Sequence, residues 1–462
     1  MKLTETKLFI YTLIAFFVVV LIFTSVRAYN FDSIPAGDIS YFHARMSKIV
    51  DRPALENDAL MGREYTFQPY HLLLHYSGMD ALKISNIIPV VLGFFSLLLF
   101  ILLLKKLGLD VQKRLLLALI LIISPAFIYM TTVSNPHVFA LFLGLLGFYL
   151  YFTKNVVSKV FAVLLFLILP LFGIIETVML IVLLLGFYFV KKNKRILFLV
   201  VILVLIYMFN FNFGIQLIMQ ENAIQSSITD LGGMIGFGVF NVLLAIIGFL
   251  LTWNFKRQHY TLYLIILILF LSVKFLGTMT NVYLNFIFAY LACLAFSKLL
   301  NRRWDSDIIK YLTIFVLISG LLFSGLSYLD RVANAGPNKE LVDGLLWLRN
   351  NSNTEDIVLS HYSRGFWIEY YSDRTVVADS YTINIDALNH SDVIFWSRNL
   401  ETTKKYLTKY GIDYIFIDSD MKQGLVWSKE EQGLLFLFKN KETFEKVYDL
   451  GGVEIWKAKT LN

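Results

Sequence analysis

V160-F-A-V-L-L-F-L-I-L-P-L-F-G-I-I-E-T-V-M-L-I-V-L-L-L-G-F-Y-F-V190 holds one charged residue, Glu176, and basic residues bracket it: Lys154 and Lys159 before, 191–195 after. About 20 mostly apolar residues cross the hydrocarbon core of a bilayer. Loops rich in Lys and Arg stay on the cytoplasmic side. With both flanks basic, this stretch has to leave the cytoplasmic side and return. Pro170 and Gly173 mark the turn between two short helices, because proline breaks the helical hydrogen-bond ladder.

The same logic extends outward along the chain. Apolar runs recur at 8–23, 87–104, 115–129, 196–209, 239–253, 260–273, 283–296 and 311–323. Basic clusters separate them: Lys2 with Lys7, Lys105-Lys106 with Lys113-Arg114, Lys256-Arg257, and Lys298 with Arg302-Arg303. Placing every cluster inside predicts a polytopic α-helical membrane protein of about eleven transmembrane helices. The N-terminus is then cytoplasmic, and its first apolar run, lacking a small-x-small cleavage site, reads as a retained signal anchor. The outward segments are 29–83, 131–136, a tip at 173–177, 212–233, 277–281, and everything from 330 on. A long loop such as 29–83 in a compact protein is often functional.

Composition agrees. Of the residues, 57% are hydrophobic and 16% charged, against about a quarter charged in soluble domains. Residues 1–329 carry 25 Lys and Arg against 14 Asp and Glu, and 330–462 carry 16 against 20. The basic excess lies in the apolar part, where it sets topology rather than binding nucleic acid. The single cysteine, Cys293, rules out an intrachain disulfide.

Residues 330–462 read as a small outward-facing α/β domain after a transmembrane domain over 1–329. Leu341, Leu345 and Leu348 fall on one helical face within 340–351. Segments 356–360, 375–378 and 414–417 read as buried strands, and 400–410 as an amphipathic helix.

Candidate chemistry starts in the first outer loop. Asp38 follows the first helix, and Glu56, Asp58 and Glu64 come later. A carboxylate at the membrane face can serve as general base or metal ligand, or simply be solvated. His71 and His75 share a helical face, as a metal pair would, but no third ligand accompanies them. Glu176 at a hairpin tip, and Glu221 among Gln216, Gln220 and Asn222, read as solvated. Gly232, Gly233, Gly236 and Gly238 read as helix-packing positions. Tyr362, Phe366, Trp367, Tyr370 and Tyr371 read as domain core or as sugar-stacking rings. Two Asn-x-Ser sequons begin at Asn350 and Asn389.

D38-I-S-Y-F-H-A-R45 resembles the D-P-x-Y-H-Y-R stretch of oligosaccharyltransferase catalytic subunits, members of the polyprenyl-phosphate-dependent GT-C membrane glycosyltransferases. S227-I-T-D230 resembles their T-I-x-E loop. The stretch from L359-S-H-Y-S-R-G365 to A378-D379 resembles the region of W-W-D-Y-G, and K409-Y-G-I-D-Y414 their K-Y-G-V-D-Y strand. The resemblance implies a GT-C-like fold and sugar transfer from a polyprenyl carrier at the outer face, nearest to archaeal members. It implies Asp38 as the catalytic carboxylate, Asp230, His361, Tyr362 and Arg364 as acceptor contacts, and Arg45 and Lys274 as donor-phosphate contacts. It leaves open a divalent metal, Mg or Mn, with Asp38 and His43 as ligands.

Three departures bear on the chemistry. The 131–137 loop, T-T-V-S-N-P-H, has no carboxylate where the family carries D-x-E. Ser363 stands at the Asp of W-W-D-Y-G, and N281-V-Y283 lacks the arginine of N-R-F. These changes favour metal-independent transfer from a polyprenyl-monophosphate sugar to a lipid, glycan or protein acceptor. The alternatives are a non-catalytic relative that binds carrier lipid or a glycosylation partner, and a transporter. The transporter reading fits less well, since few paired intramembrane charges and no repeat are evident.

Overall fold

The computed structural model describes residues 3–31, 35–50, 68–210, 223–253, 256–382, 384–429 and 431–459. Glu56, Asp58, Glu64, Gln216, Gln220, Glu221 and Asn222 lie outside them. Backbone packing divides the chain into two units. The helical unit is Met1–Val26, Gln68–Tyr70 and Asn86–Asn334, and the sheet unit is Arg27–Phe67, His71–Ser85 and Ala335–Asn462.

The helices before residue 334 are α1 (Glu5–Phe31), α2 (Ile39–Lys48), α3 (Pro69–His75), α4 (Ala81–Lys106), α5 (Val111–Ile122), α6 (Pro125–Thr132), α7 (Pro136–Tyr151), α8 (Val156–Ile168), α9 (Ile174–Lys191), α10 (Lys194–Asn210), α11 (Ala223–Ser226), α12 (Val239–Trp253), α13 (Lys256–Leu276), α14 (Asn281–Asn301) and α15 (Asp307–Ala333). Among the described residues six helices are long and apolar enough to cross a membrane. A seventh span forms if α5 and α6, bent by 67° at Ile123-Ser124, count as one. Three shorter apolar helices, Pro136–Tyr151, Val156–Leu171 and Val239–Trp253, add to these.

The 160–190 stretch breaks where its proline and glycine stand. Here α8 tightens into a 3-10 turn at Leu169–Leu171, and α9 starts after Gly173. Within the helical unit, helices approach through small residues, as lipid-embedded helices do. A Cβ on Gly248 of α12 would lie 2.0 Å from the Leu291 carbonyl of α14. Arg114 of α5, itself buried, grips both oxygens of Glu5 in α1 at 3.1 and 2.6 Å.

The rest of the sheet unit continues with α16 (Lys339–Asn351), β1 (Ile357–Leu359), α17 (Gly365–Trp367), β2 (Thr375–Val376), α18 (Ile385–Trp396), α19 (Leu400–Tyr410), β3 (Ile412–Ile417), α20 (Gly433–Leu437), β4 (Phe444–Leu450) and β5 (Val453–Ala458). The strands form one mixed sheet in the order β2-β1-β3-β5-β4. β1 runs parallel to β2 and β3, while β5 runs antiparallel to β3 and β4.

Alternation along a strand sends successive side chains to opposite faces, and β3 shows it. Ile415 and Ile417 join one core with Leu359, Leu407, Phe395 and Trp427. Tyr414 and Phe416 join the other with Leu345, Leu348 and Ile455. That second core also takes in Tyr41, Phe42 and Met46 of α2. The helix α2 thus packs into the core of the sheet unit. Burying such side chains contributes about 1.5–3 kcal/mol each, which fixes the residue in front of α2, Asp38, relative to the sheet.

Candidate active site

Asp38 is the N-cap of α2. Its Oδ1 accepts the Ile39 backbone N–H at 2.8 Å. Its Oδ2 accepts the Ser380 hydroxyl at 2.5 Å. Partial burial pushes the Asp38 carboxyl above the usual carboxylate range, while the Ser380 and Ile39 hydrogen bonds and the charge of Arg364 pull it back.

Arg364 is buried and held on three sides. Its Nε reaches Asp418 Oδ2 at 2.6 Å, its Nη2 reaches Asp420 Oδ2 at 2.7 Å, and its Nη1 donates to Ser363 Oγ at 3.2 Å. The guanidinium also lies 4.9 Å from the Trp367 ring centroid. Arg364, expected as an acceptor contact, clamps the end of β3 to the turn before α17. His361 Nδ1 sits 2.8 Å from Ser363 Oγ. Burial and the neighbouring Arg364 push the His361 imidazole down to about 4, so the ring is neutral at physiological pH. Tyr362 is 47% exposed, whereas Phe366 and Trp367 are buried. The aromatic cluster is therefore mostly domain core, with Tyr362 the ring left open for contact.

Arg45 donates to the Glu369 carbonyl and pairs with Asp373 at 3.4 Å. These contacts tie α2 to the 368–373 turn. Lys274 is exposed near the end of α13. Asp230 spends Oδ2 on the fold: it accepts the Val239 N–H at 2.8 Å, at the start of α12, and the Ser324 hydroxyl at 2.7 Å. Of the nearby glycines, Gly238 packs against α15 as expected, where a Cβ would lie 2.5 Å from Ser324 Cβ. A Cβ at Gly236 would fall 1.9 Å from the Ser227 carbonyl, so the loop backbone closes on itself there rather than on a helix.

His71 and His75 do not make a metal pair. His71 Nε2 faces His43 Nδ1 at 2.9 Å, both rings fully buried, and His75 Nδ1 meets the Ser47 carbonyl at 2.8 Å. Among the described residues no group of three or more His, Cys, Asp and Glu side chains is arranged around a metal position. With Asp38 engaged by Ile39 and Ser380, and His43 turned to His71, this donor set does not fit a divalent ion. Mg and Mn sites take several oxygen ligands.

No family model matches the sequence, and no curated protein does. Solved structures do match. The chain is similar to the oligosaccharyltransferase of Archaeoglobus fulgidus in its apo form, at 14% identity and TM-score 0.62, over 98% of this chain and 75% of that one. It is similar to AglB of the same organism in complex with an inhibitory peptide and a dolichol-phosphate, at 14% identity and TM-score 0.61, over 97% and 74%. It is also similar to ArnT from Cupriavidus metallidurans, at 8% identity and TM-score 0.55, over 96% and 97%.

The chain has the GT-C fold. Two features of this chain are not marked by its sequence motifs. One is Ser380, which no motif marks. The other lies in the helical unit, where Glu176 is not solvated but buried. Its Oε1 accepts the Tyr283 hydroxyl at 2.8 Å and contacts His137 Nδ1. An apolar cavity of about 60 Å³, lined by residues of α7 and α9, opens beside Glu176 and Tyr283. A lone acid inside an apolar run was the available signal, since such residues are costly in lipid and rarely left unpaired.

Proposed function

We propose that this GT-C protein transfers a sugar from a polyprenyl-phosphate or polyprenyl-diphosphate carrier to an acceptor at the outer membrane face. The observation that carries the reading is Asp38. It is a partly buried carboxylate with one oxygen fixed by the α2 backbone and the other by a hydroxyl of the sheet unit, within reach of the Arg364 charge. A carboxylate so placed can act as general base. It takes the proton of an acceptor hydroxyl as the acceptor oxygen bonds to the anomeric carbon. The bond from that carbon to the carrier phosphate breaks, and the phosphate leaves with the electron pair, inverting the anomeric centre.

Carrier chemistry is supported by the fold relatives: AglB was solved with a dolichol-phosphate and ArnT with undecaprenyl phosphate. Lys274 is the proposed partner of the carrier phosphate, as an exposed cation close to a helix end. His361 and Tyr362 are the proposed acceptor contacts. The donor set at Asp38 supports a metal-free base mechanism.

The test is transfer of labelled sugar from polyprenyl-phosphate donors to a mixed acceptor extract by the full-length protein in lipid. Asp38→Asn lowers the rate at least about a hundredfold, and EDTA leaves the wild-type rate unchanged. Full activity of Asp38→Asn removes the base. Loss of activity in EDTA, restored by Mg or Mn, replaces the metal-free mechanism. No transfer from any donor, with carrier lipid still bound, makes the protein a non-catalytic carrier-binding relative.

A further inference from the structure

We infer that Ser380 is a positioning residue for Asp38, through which the sheet unit sets the direction of the proposed base. The inference rests on the transferase reading above and adds a residue to it.

Two contacts hold the Asp38 carboxylate, and they differ in kind. The Ile39 N–H is one residue away on the same chain and fixes Oδ1 locally, at the first residue of α2. Ser380 Oγ comes from a segment 342 positions later and fixes Oδ2. With only the first contact, the carboxylate plane can turn about its own bond while the cap survives. The second contact stops that rotation.

Ser380 can do this because its turn is rigid. The Asp379 N–H donates to Thr382 Oγ1 at 2.8 Å, the Tyr381 N–H donates to Asp379 Oδ1 at 2.6 Å, and the Thr382 N–H donates to the Asp379 carbonyl at 3.1 Å. The turn is seated on Gly365, where a Cβ would lie 2.6 Å from Asp379 Cβ and 2.8 Å from its Cα. Only glycine permits that approach. Gly365 directly follows Arg364, which Asp418 and Asp420 hold at the end of β3. A continuous series of contacts therefore runs from the sheet through Arg364, Gly365 and Asp379 to Ser380, and ends on the Asp38 oxygen.

General-base catalysis needs a lone pair aimed at the acceptor proton, and misplacing a catalytic group by about 1 Å can cost about a hundredfold in rate. Ser380 touches neither the acceptor nor the carrier in this reading; it acts through Asp38.

The experiment compares wild type, Ser380→Ala, Ser380→Thr, Asp38→Asn and the Ser380→Ala/Asp38→Asn double variant as full-length proteins in lipid. Readouts are kcat, the KM of donor and acceptor, and the thermal unfolding temperature. Ser380→Ala should lower kcat at least about tenfold, with both KM values within about twofold and the unfolding temperature unchanged. Ser380→Thr, which keeps the hydroxyl, should recover most of kcat. In the Asp38→Asn background Ser380→Ala should add nothing, because the group it positions is gone. A wild-type kcat in Ser380→Ala overturns the inference. So does a threonine variant as slow as the alanine one, or an equal further loss in the double variant. A fully active Asp38→Asn overturns the base assignment and this inference together. An inactive Asp38→Asn beside a fully active Ser380→Ala overturns the positioning alone.

Discussion

Asp38 in the sheet unit and Glu176 in the helical unit are each held by a hydroxyl, one from Ser380 and one from Tyr283. Their surroundings separate them. Glu176 is 4% exposed, and its Oε1 takes both the Tyr283 hydroxyl and His137. It joins the N-terminal ends of α7, α9 and α14. Asp38 is only partly buried and stands at the head of an amphipathic helix. A carboxylate whose contacts knit three helix ends serves the fold. One left partly open, oriented by two separate donors, can meet a substrate. In the proposed reading, two carboxylates of similar chemistry divide into a structural and a reactive one by what surrounds them.

The largest effect expected from this contrast comes from removing the cation that anchors the Asp38 side. Arg364→Ala leaves Asp418, 3% exposed, as an unpaired buried charge. Breaking such a pair typically costs about 3–5 kcal/mol. The unfolding temperature should drop sharply, and the Arg364→Ala/Asp418→Ala double variant should recover part of the loss. A single variant as stable as wild type would mean that the clamp does not hold the site.

Glu176 comes next. Glu176→Ala removes the acceptor of the Tyr283 hydroxyl and should cost about 1–3 kcal/mol. Glu176→Gln keeps a carbonyl acceptor and should cost less. Both should retain sugar transfer in the fraction that folds, in contrast to Asp38→Asn. Abolished transfer in a stable Glu176→Gln protein would break the division between the two carboxylates.

What the sequence disclosed follows the range over which its signals act. The short apolar run at 414–417 and the leucine spacing of α16 are local signals over a few residues, so strand and helix were legible. The break at Pro170 to Gly173 was local too. The burial of Glu176 was not, because it depends on residues 39 and 107 positions away. Asp38 stood out as an acid just past an apolar helix, while its partner Ser380 is a common residue with no pattern around it. The packing of α2 into the sheet core was signalled only by Tyr41, Phe42 and Met46, which also suit a helix lying at a membrane surface.

A pH series sharpens the comparison further. The buried His43 and His71 rings meet nitrogen to nitrogen, so one nitrogen donates and the other accepts. A second proton on that contact would set two donors against each other. Burial holds the His71 imidazole down to about 3, against about 6.5 for a free histidine. The folded state therefore binds fewer protons than the unfolded chain. This contribution to stability is whole above about pH 6.5 and declines as pH falls toward 3. Wild-type unfolding temperature should fall between pH 7.5 and 4.5 more steeply than that of His71→Asn. The variant should be less stable at pH 7.5, and the two curves should converge on the acid side. Parallel curves would mean that His71 titrates normally and that the sheet unit carries no buried neutral histidine on the α3 side of α2.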